Sequence, residues 1–174
     1  MRKLFWILMM MCSIFSSCEN NSQPVKQKSS EASTEEKLIW ANQRLVRVEN
    51  DLIGSYIKRH ELQMNQSASG LRYLIRKEGE GQNPKFEQTV TLKYSLKLIN
   101  GNEVYNSDRD GLKEFVIGKS QEPSGLDEGV RMLKKGGKAL LIMPSNLGYG
   151  LLGDSFKIPK KAILIYEVEL INIK

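Results

Sequence analysis

The sequence predicts an α+β fold: mostly antiparallel strands, one short helix within the domain, and an amphipathic helix ahead of it. Three observations predict it. Residues 90–98 alternate strictly between apolar and polar and run into Asn100-Gly101, a hairpin signal. Leu126, Val130 and Leu133 recur at helical spacing after a glycine- and acid-bearing turn. Much earlier, Leu38, Ala41, Leu45, Val48 and Leu52 keep the same spacing over a longer stretch.

The elements follow in order. Ser33 with Glu36 fits a helix N-cap and capping box, so the first helix is expected over residues 35–66. Ile39, Val46, Ile53, Tyr56 and Ile57 widen its apolar face, which is too apolar to stand alone in water. It either packs on the folded domain or forms a homodimer through residues 36–60. From Gly70 the period becomes two: Leu71, Tyr73 and Ile75 alternate with Arg72 and Arg76 until Gly79 and Gly81 break the strand. In the second strand Val90, Leu92, Tyr94, Leu96 and Leu98 share a face, giving one buried and one wet side. Both central residues of a tight Asn100-Gly101 turn would need positive φ. Residues 103–107 should return, and Phe115-Val116-Ile117 should form a short strand closed by Gly118. Ser124 is placed to cap the domain helix, with Asp127 and Glu128 in its first turn and Gly136 to end it. Residues 139–143 and 163–173 complete the strands.

The chain has 174 residues, room for one ordinary domain with extensions. Apolar residues at 40% and charged residues at 26% are globular values. The net charge of +6 is spread among acids rather than clustered, so no nucleic-acid partner is expected. Arg2-Lys3, the apolar run from Leu4 to Phe15, and Ser16-Ser17 have the layout of a secretory signal, residues 1–17. That run is shorter than the roughly 20 residues that span a bilayer. Ser16-Ser17-Cys18 resembles a bacterial lipobox, with Cys18 lipidated as the first mature residue; ordinary cleavage leaving a free Cys18 is the alternative. Residues 18–34 are rich in Asn, Ser, Gln and Lys and read as a flexible tether. These features imply a lipoprotein anchored to a membrane of the cell envelope and facing the periplasm. Only Cys18 would survive processing, which excludes an intramolecular disulfide and a cysteine metal site.

The catalytic inventory is thin. His60 is the only histidine and lies at the end of the first helix, where a surface role suits it. Ser-His-Asp and Cys-His schemes therefore have no base, and no phosphate-cradling glycine loop is present. Glu167 and Glu169 share a face of one strand, where carboxylates are ordinarily solvated. No metal or cofactor is expected. What remains is a set of tyrosines and apolar residues at strand ends and loops.

Those residues carry a resemblance. Gly125-Leu126-Asp127-Glu128-Gly129, Gly136-Gly137, Gly148-Tyr149-Gly150, Lys157-Ile158-Pro159 and Leu164 to Leu170 resemble the C-terminal half of FK506-binding-protein (FKBP)-type prolyl isomerase domains. The likeness extends over residues 70–174 and implies a strongly twisted antiparallel sheet wrapped on the short helix, with an apolar pocket between them. It implies that Tyr94, Leu126, Tyr149, Ile158 and Tyr166 line that pocket, with Phe115 a buried neighbour and the Tyr149 hydroxyl facing a substrate carbonyl. Where the family has Phe-Asp-Ser-Ser, this chain has Val104-Tyr105-Asn106-Ser107. With one extra residue in the hairpin, Tyr105 and Asn106 take the Phe and Asp positions; without it, Val104 and Tyr105 do. Neither gives a carboxylate. Gln121-Glu122-Pro123 replaces the pair whose backbone holds ligands, and the flap from Gly153 to Ile158 carries Asp154, Ser155 and Phe156.

The resemblance implies acceleration of X–Pro rotation in exported polypeptides, without nucleophile or metal. The rotation barrier of about 18–20 kcal/mol reflects amide resonance lost on twisting, and the twisted amide is less dipolar, so an apolar pocket favours it. A non-catalytic chaperone or binding module is the alternative. Ile57-Lys58-Arg59, Ser69-Gly70-Leu71-Arg72-Tyr73 and Tyr105-Asn106-Ser107 are also similar to the gliding-motility-associated isomerase lipoproteins.

Overall fold

The computed structural model describes residues 28–174, with side chains from residue 33 onward. The expectations for residues 1–17, for Cys18 and for most of the tether lie outside the described residues. The chain divides into two compact units at Ile39/Trp40. The described part of the first is helical; the second holds the remainder of that helix and the entire sheet.

Helix α1 covers Lys28–Arg59. It starts before the expected cap, so Ser33 lies inside it and residues 28–34 are helix rather than tether. It also stops short of residue 66, because Asn65–Gln66 forms a strand, β1. The strands that follow are β2 (Arg72–Lys77), β3 (Thr89–Leu98), β4 (Glu103–Asn106), β5 (Lys113–Val116), β6 (Lys138–Met143) and β7 (Leu164–Ile173). Every pairing is antiparallel, in the order β1-β2-β6-β7-β3-β4, with β5 also on β3. One edge of β3 is thus shared: its first residues pair with β5 and its last with β4.

The β3–β4 hairpin departs from the tight two-residue turn. Of Asn100 and Gly101 only Gly101 has positive φ, at 92°. The Gly101 N–H donates to Leu98 and the Leu98 N–H to Asn102, so Ile99, Asn100 and Gly101 form a three-residue loop closed by a left-handed glycine. A four-residue helix, α2 (Ser107–Asp110), then turns the chain; the Asn106 side chain caps it by accepting from the Asp108 N–H.

Helix α3 spans Ser124–Arg131. Ser124 is inside it rather than capping it, Pro123 takes the cap position, and the helix ends at Met132, well before Gly136. The Asp127 carboxylate is used instead to accept from the Gly118 N–H (2.7 Å) and to pair with Arg131. Leu126, Val130 and Leu133 are fully buried, as their spacing requires. The helix lies very close to β6. A Cβ at Gly129 would stand 2.4 Å from Leu141 Cδ1, and one at Gly125 2.9 Å from Met143 Sδ.

The sheet has apolar residues on both faces. On the inner face α3 packs with Leu92, Leu96, Leu141, Tyr166, Val168 and Leu170. On the outer face Leu140, Ile142, Ile163 and Ile165 receive Ile53, Tyr56 and Ile57 from the last turns of α1. The predicted stripe is therefore only partly right. Of its widening residues Ile53, Tyr56 and Ile57 pack, while Ile39 and Val46 stay exposed together with Leu38, Trp40, Val48 and Leu52. His60 is exposed and stacks on Tyr56 at 4.1 Å between ring centroids.

Leu141 is fully buried and has no room to swing away from an added methyl. Gly129→Ala should lower stability by about 1–3 kcal/mol through overpacking, read as a lower urea midpoint with an unchanged slope.

Candidate functional site

Strand register assembles the site. Tyr105 on β4 pairs with Leu96 on β3, Leu96 with Tyr166 on β7, Tyr166 with Leu141 on β6, and Leu141 with Tyr73 on β2. This row crosses the inner face. Tyr94, two residues before Leu96, stands on the same face, and its ring centroid lies 6.3 Å from that of Tyr166. The loop after β6 brings the fourth aromatic. A 3₁₀ turn at Ser145–Leu147 leads into Gly148-Tyr149-Gly150, with Gly150 at φ 63°. Tyr94, Leu96, Tyr105, Tyr149 and Tyr166 line one cavity of about 260 Å³, with Asp110, Lys113 and Asp154 at its edge.

The hydroxyls in this cavity are all held protonated. Burial pushes the Tyr149 phenol up, with Glu122 adding to the effect and the Tyr166 hydroxyl partly offsetting it. Burial also raises Tyr94, helped by Asp110 and Glu122. Tyr166 is raised well above the ordinary value, again chiefly by burial. Its hydroxyl lies near enough to Tyr149 to influence it, yet has no hydrogen-bond partner of good geometry. The site can thus offer neutral donors among aromatic walls, an arrangement that suits a carbonyl oxygen and an apolar ring.

The flap supplies a carboxylate. Asp154 Oδ2 accepts from the Tyr105 hydroxyl at 2.5 Å, and Oδ1 accepts from the Phe156 and Ile158 N–H groups at 2.9 and 2.8 Å. The hydrogen bond to Asp154 pushes the Tyr105 phenol up to about 12. For Asp154 itself, burial would raise the carboxyl, but the Tyr105 hydroxyl and the flap N–H groups outweigh it and hold it below its ordinary value. Lys157 lies 4.8 Å over the Tyr105 ring. At the other side Lys113 pairs with Glu122 at 2.8 Å and lies 5.3 Å over the Tyr94 ring.

The structure therefore brings together Tyr94, Tyr105, Tyr149 and Tyr166 and leaves other expected residues elsewhere. Leu126 and Ile158 belong to the buried core cluster and are not among the residues lining this cavity; Phe115, expected as a buried neighbour, is buried in the same cluster. Pro123 is buried as the cap of α3. Asn106 is paired with Ser95 and lies in a separate polar hollow on the other side of the sheet, with Lys93 and Glu167. Its amide donates to Glu103, so it is spent on local structure. At the hairpin Tyr105, which belongs to both alternatives, is the residue that faces the cavity. Asp154, Asp110 and Lys113 were missed as site residues, because they reach the cavity from the flap, a four-residue helix and an edge strand whose positions no local pattern fixes.

Comparison with known proteins identifies the family. Residues 80–171, more than half the chain, match the family described as FKBP-type peptidyl-prolyl cis-trans isomerase. The chain belongs to this family. It is 40% identical over 107 residues to the probable FKBP-type peptidyl-prolyl cis-trans isomerase FkpA of Neisseria meningitidis, covering 62% of this chain and 39% of that protein. It is 36% identical over 108 residues to FkpA of Escherichia coli, covering 62% and 39%. The crystal structure of that Escherichia coli protein superposes with a TM-score of 0.62 at 27% identity, over 88% of this chain and 74% of that one. The N-terminal domain of FKBP42 from Arabidopsis thaliana superposes with a TM-score of 0.60 at 29% identity, over 64% and 92%. The chain spans about two fifths of the length of the curated FkpA relatives it matches.

Within this FKBP-type site two outcomes are expected. The Tyr105–Asp154 contact has limits set by both partners. The phenol is raised from 10.0 to about 12, so its contribution is complete below pH 10 and lost as pH rises through 12. The Asp154 carboxyl is depressed below 3.8, so its contribution is complete above that value and lost as pH falls through the folded pKa. The difference in ultraviolet absorbance titration between wild type and Tyr105→Phe should show a phenol ionising near 12, and Asp154→Asn should return it toward 10. Separately, Tyr166→Phe removes a buried hydroxyl without a good partner and should raise unfolding free energy by about 1 kcal/mol in urea denaturation.

Proposed function

We propose that the chain is a peptidyl-prolyl cis-trans isomerase acting on proline-containing exported polypeptides. The observation that carries this reading is the tyrosine cavity: four protonated phenols converging on one aromatic-walled hollow, in a chain that belongs to the FKBP-type family. The proline ring would enter among Tyr94, Tyr105 and Tyr166. The Tyr149 hydroxyl, held between glycines, would donate to the carbonyl oxygen of the twisting amide. As the amide rotates it loses resonance and dipole, so a largely desolvated aromatic site stabilises the twisted form more than the planar one. No proton is transferred and no covalent bond breaks. Leu126, Phe115, Ile158 and Pro123 would support the walls from below, and Asn106 would hold the turn that carries Tyr105.

The signal-like residues 1–17 and Cys18 support a lipoprotein of the cell envelope, working at a membrane surface on the periplasmic side. Among the described residues no helix is long and apolar enough to cross a membrane. The similarity to gliding-motility-associated isomerases supports service to a motility machinery. The exposed face of α1 at Trp40, Val46, Val48 and Leu52 supports homodimer formation through residues 36–60.

A second reading, a chaperone that holds clients without isomerising them, is favoured by the flap. Leu152 and Phe156 beside the cavity are 79% and 91% exposed, an apolar rim suited to unfolded chain. A refolding assay limited by X–Pro isomerisation separates the two. Wild type should accelerate the slow phase. Tyr149→Phe should cut kcat/KM roughly three- to tenfold, the worth of one hydrogen bond. Absence of acceleration, with suppression of client aggregation retained, would establish the second reading.

A further inference from the structure

Glu49 is a carboxylate that the reaction above does not use, yet it is only 3% exposed. It lies on the face of α1 that packs on the sheet, one turn before Ile53. Both its oxygens are directed at one residue of another element. Oε2 accepts from the Ser145 N–H at 2.9 Å and Oε1 from the Ser145 hydroxyl at 2.6 Å. Ser145 is itself buried. It opens the 3₁₀ turn that leads to Tyr149.

The same Ser145 residue holds that loop from its other end. Its carbonyl oxygen accepts from the Gly148 N–H at 3.0 Å and from the Gly150 N–H at 2.8 Å. These are the two residues flanking Tyr149. The Glu49 carboxylate therefore fixes a serine whose carbonyl fixes the backbone on both sides of the phenol. Gly148 and Gly150 leave that backbone few restraints of their own. Gly148 also approaches Leu164 closely, and an added Cβ would stand 2.9 Å from its Cδ1. A carboxylate aligned on an N–H and an O–H strengthens both bonds and, through the Pro144–Ser145 peptide group, the bond that the Pro144 carbonyl accepts from the Leu147 N–H at 3.1 Å within the same turn.

We propose that Glu49 is a positioning residue of the site: the N-terminal helix sets the Tyr149 loop through the Glu49–Ser145 contact. The kinetic part rests on the isomerase reading above; the structural part does not. Leu45, Val48 and Leu52 line a groove whose wall includes Glu49 and Pro159, the residue following Ile158 at the end of the flap. The contact thus sits where the helix meets both loops that border the tyrosine cavity. Residues 40–59 form part of the isomerase site rather than a separate spacer.

The test compares wild type, Glu49→Gln, Tyr149→Phe and the double variant, as full chains, by hydrogen exchange and by isomerase kinetics. Glu49→Gln keeps the shape and one acceptor oxygen. In a folded protein it should speed exchange at the Gly148 and Gly150 amides by about tenfold or more, through local opening. It should lower kcat/KM by about three- to tenfold, mainly through kcat, because the loop acts on the transition state. In the Tyr149→Phe background the same change should cost less than about 1.5-fold, since the phenol it positions no longer donates. Unchanged loop exchange in folded Glu49→Gln, or losses that multiply in the double variant, would overturn the proposal. If Glu49→Gln does not fold, Ser145→Ala removes only the hydroxyl contact and is held to the same two criteria. A wild-type protein without isomerase activity would overturn the isomerase reading, while the exchange measurement would still decide the contact.

Discussion

The site depends on strand register. Leu96 pairs with both Tyr105 and Tyr166, and Tyr166 with Leu141. Because side chains alternate across a strand, a slip of one residue in β7 would carry Tyr166 to the outer face and bring Ile165 in. Both faces of the sheet are apolar here, so simple burial would discriminate weakly between the two registers. The discrimination comes from shape. Gly125 and Gly129 let α3 approach β6 so closely that only the observed inner-face side chains fit beneath it. The helix, by its lack of Cβ atoms at those two points, fixes the register that assembles the tyrosines.

That division explains what was legible in the sequence. Period-two alternation gave β3 and its inward row, because burial imposes that pattern directly. The helical spacing of Leu126, Val130 and Leu133 was equally direct. The termini of α3 were not, since Pro123 at the cap and Asp127 bonding to Gly118 depend on a distant loop. The stripe on α1 was visible, but which side of it packs was not. Ile53, Tyr56 and Ile57 meet the outer face of the sheet, and Glu49, one turn before Ile53, is buried against Ser145. A glutamate within a helix carries no local sign that it will be buried. The resemblance identified Tyr94, Tyr149 and Tyr166 as pocket residues. It could not foresee that Asp154 would arrive from the flap to meet Tyr105.

The charges around the cavity raise a physical question, since an aromatic site that favours a less dipolar amide should not be crowded with carboxylates. The three that approach are all occupied. Asp154 takes a phenol and two N–H groups, Glu122 takes Lys113, and Asp110 takes the Asn106 N–H at 2.8 Å. Each is therefore held at the rim by a partner, and their residual effect is to raise the neighbouring phenols. A raised phenol stays a donor throughout the physiological range. The rim carboxylates thus reinforce the protonation state a carbonyl requires; Asp154 takes the Tyr105 hydroxyl for itself, so the donors left to a carbonyl on this rim are Tyr94 and Tyr149.

The same economy of partners applies at Glu49. Removing a carboxylate from water costs several kcal/mol unless its lone pairs are met. A charge-assisted hydrogen bond returns about 1.5–3 kcal/mol. Two such bonds to one serine offset much of the desolvation, provided the serine is held still. It is held by the same turn that carries Tyr149, through the Gly148 and Gly150 amides. Docking of the helix, closure of the 3₁₀ turn and placement of the phenol are therefore one cooperative event. Loosening any of them leaves a buried carboxylate short of its partners, so the loop's conformation is backed by a larger free energy than its own short-range contacts could supply.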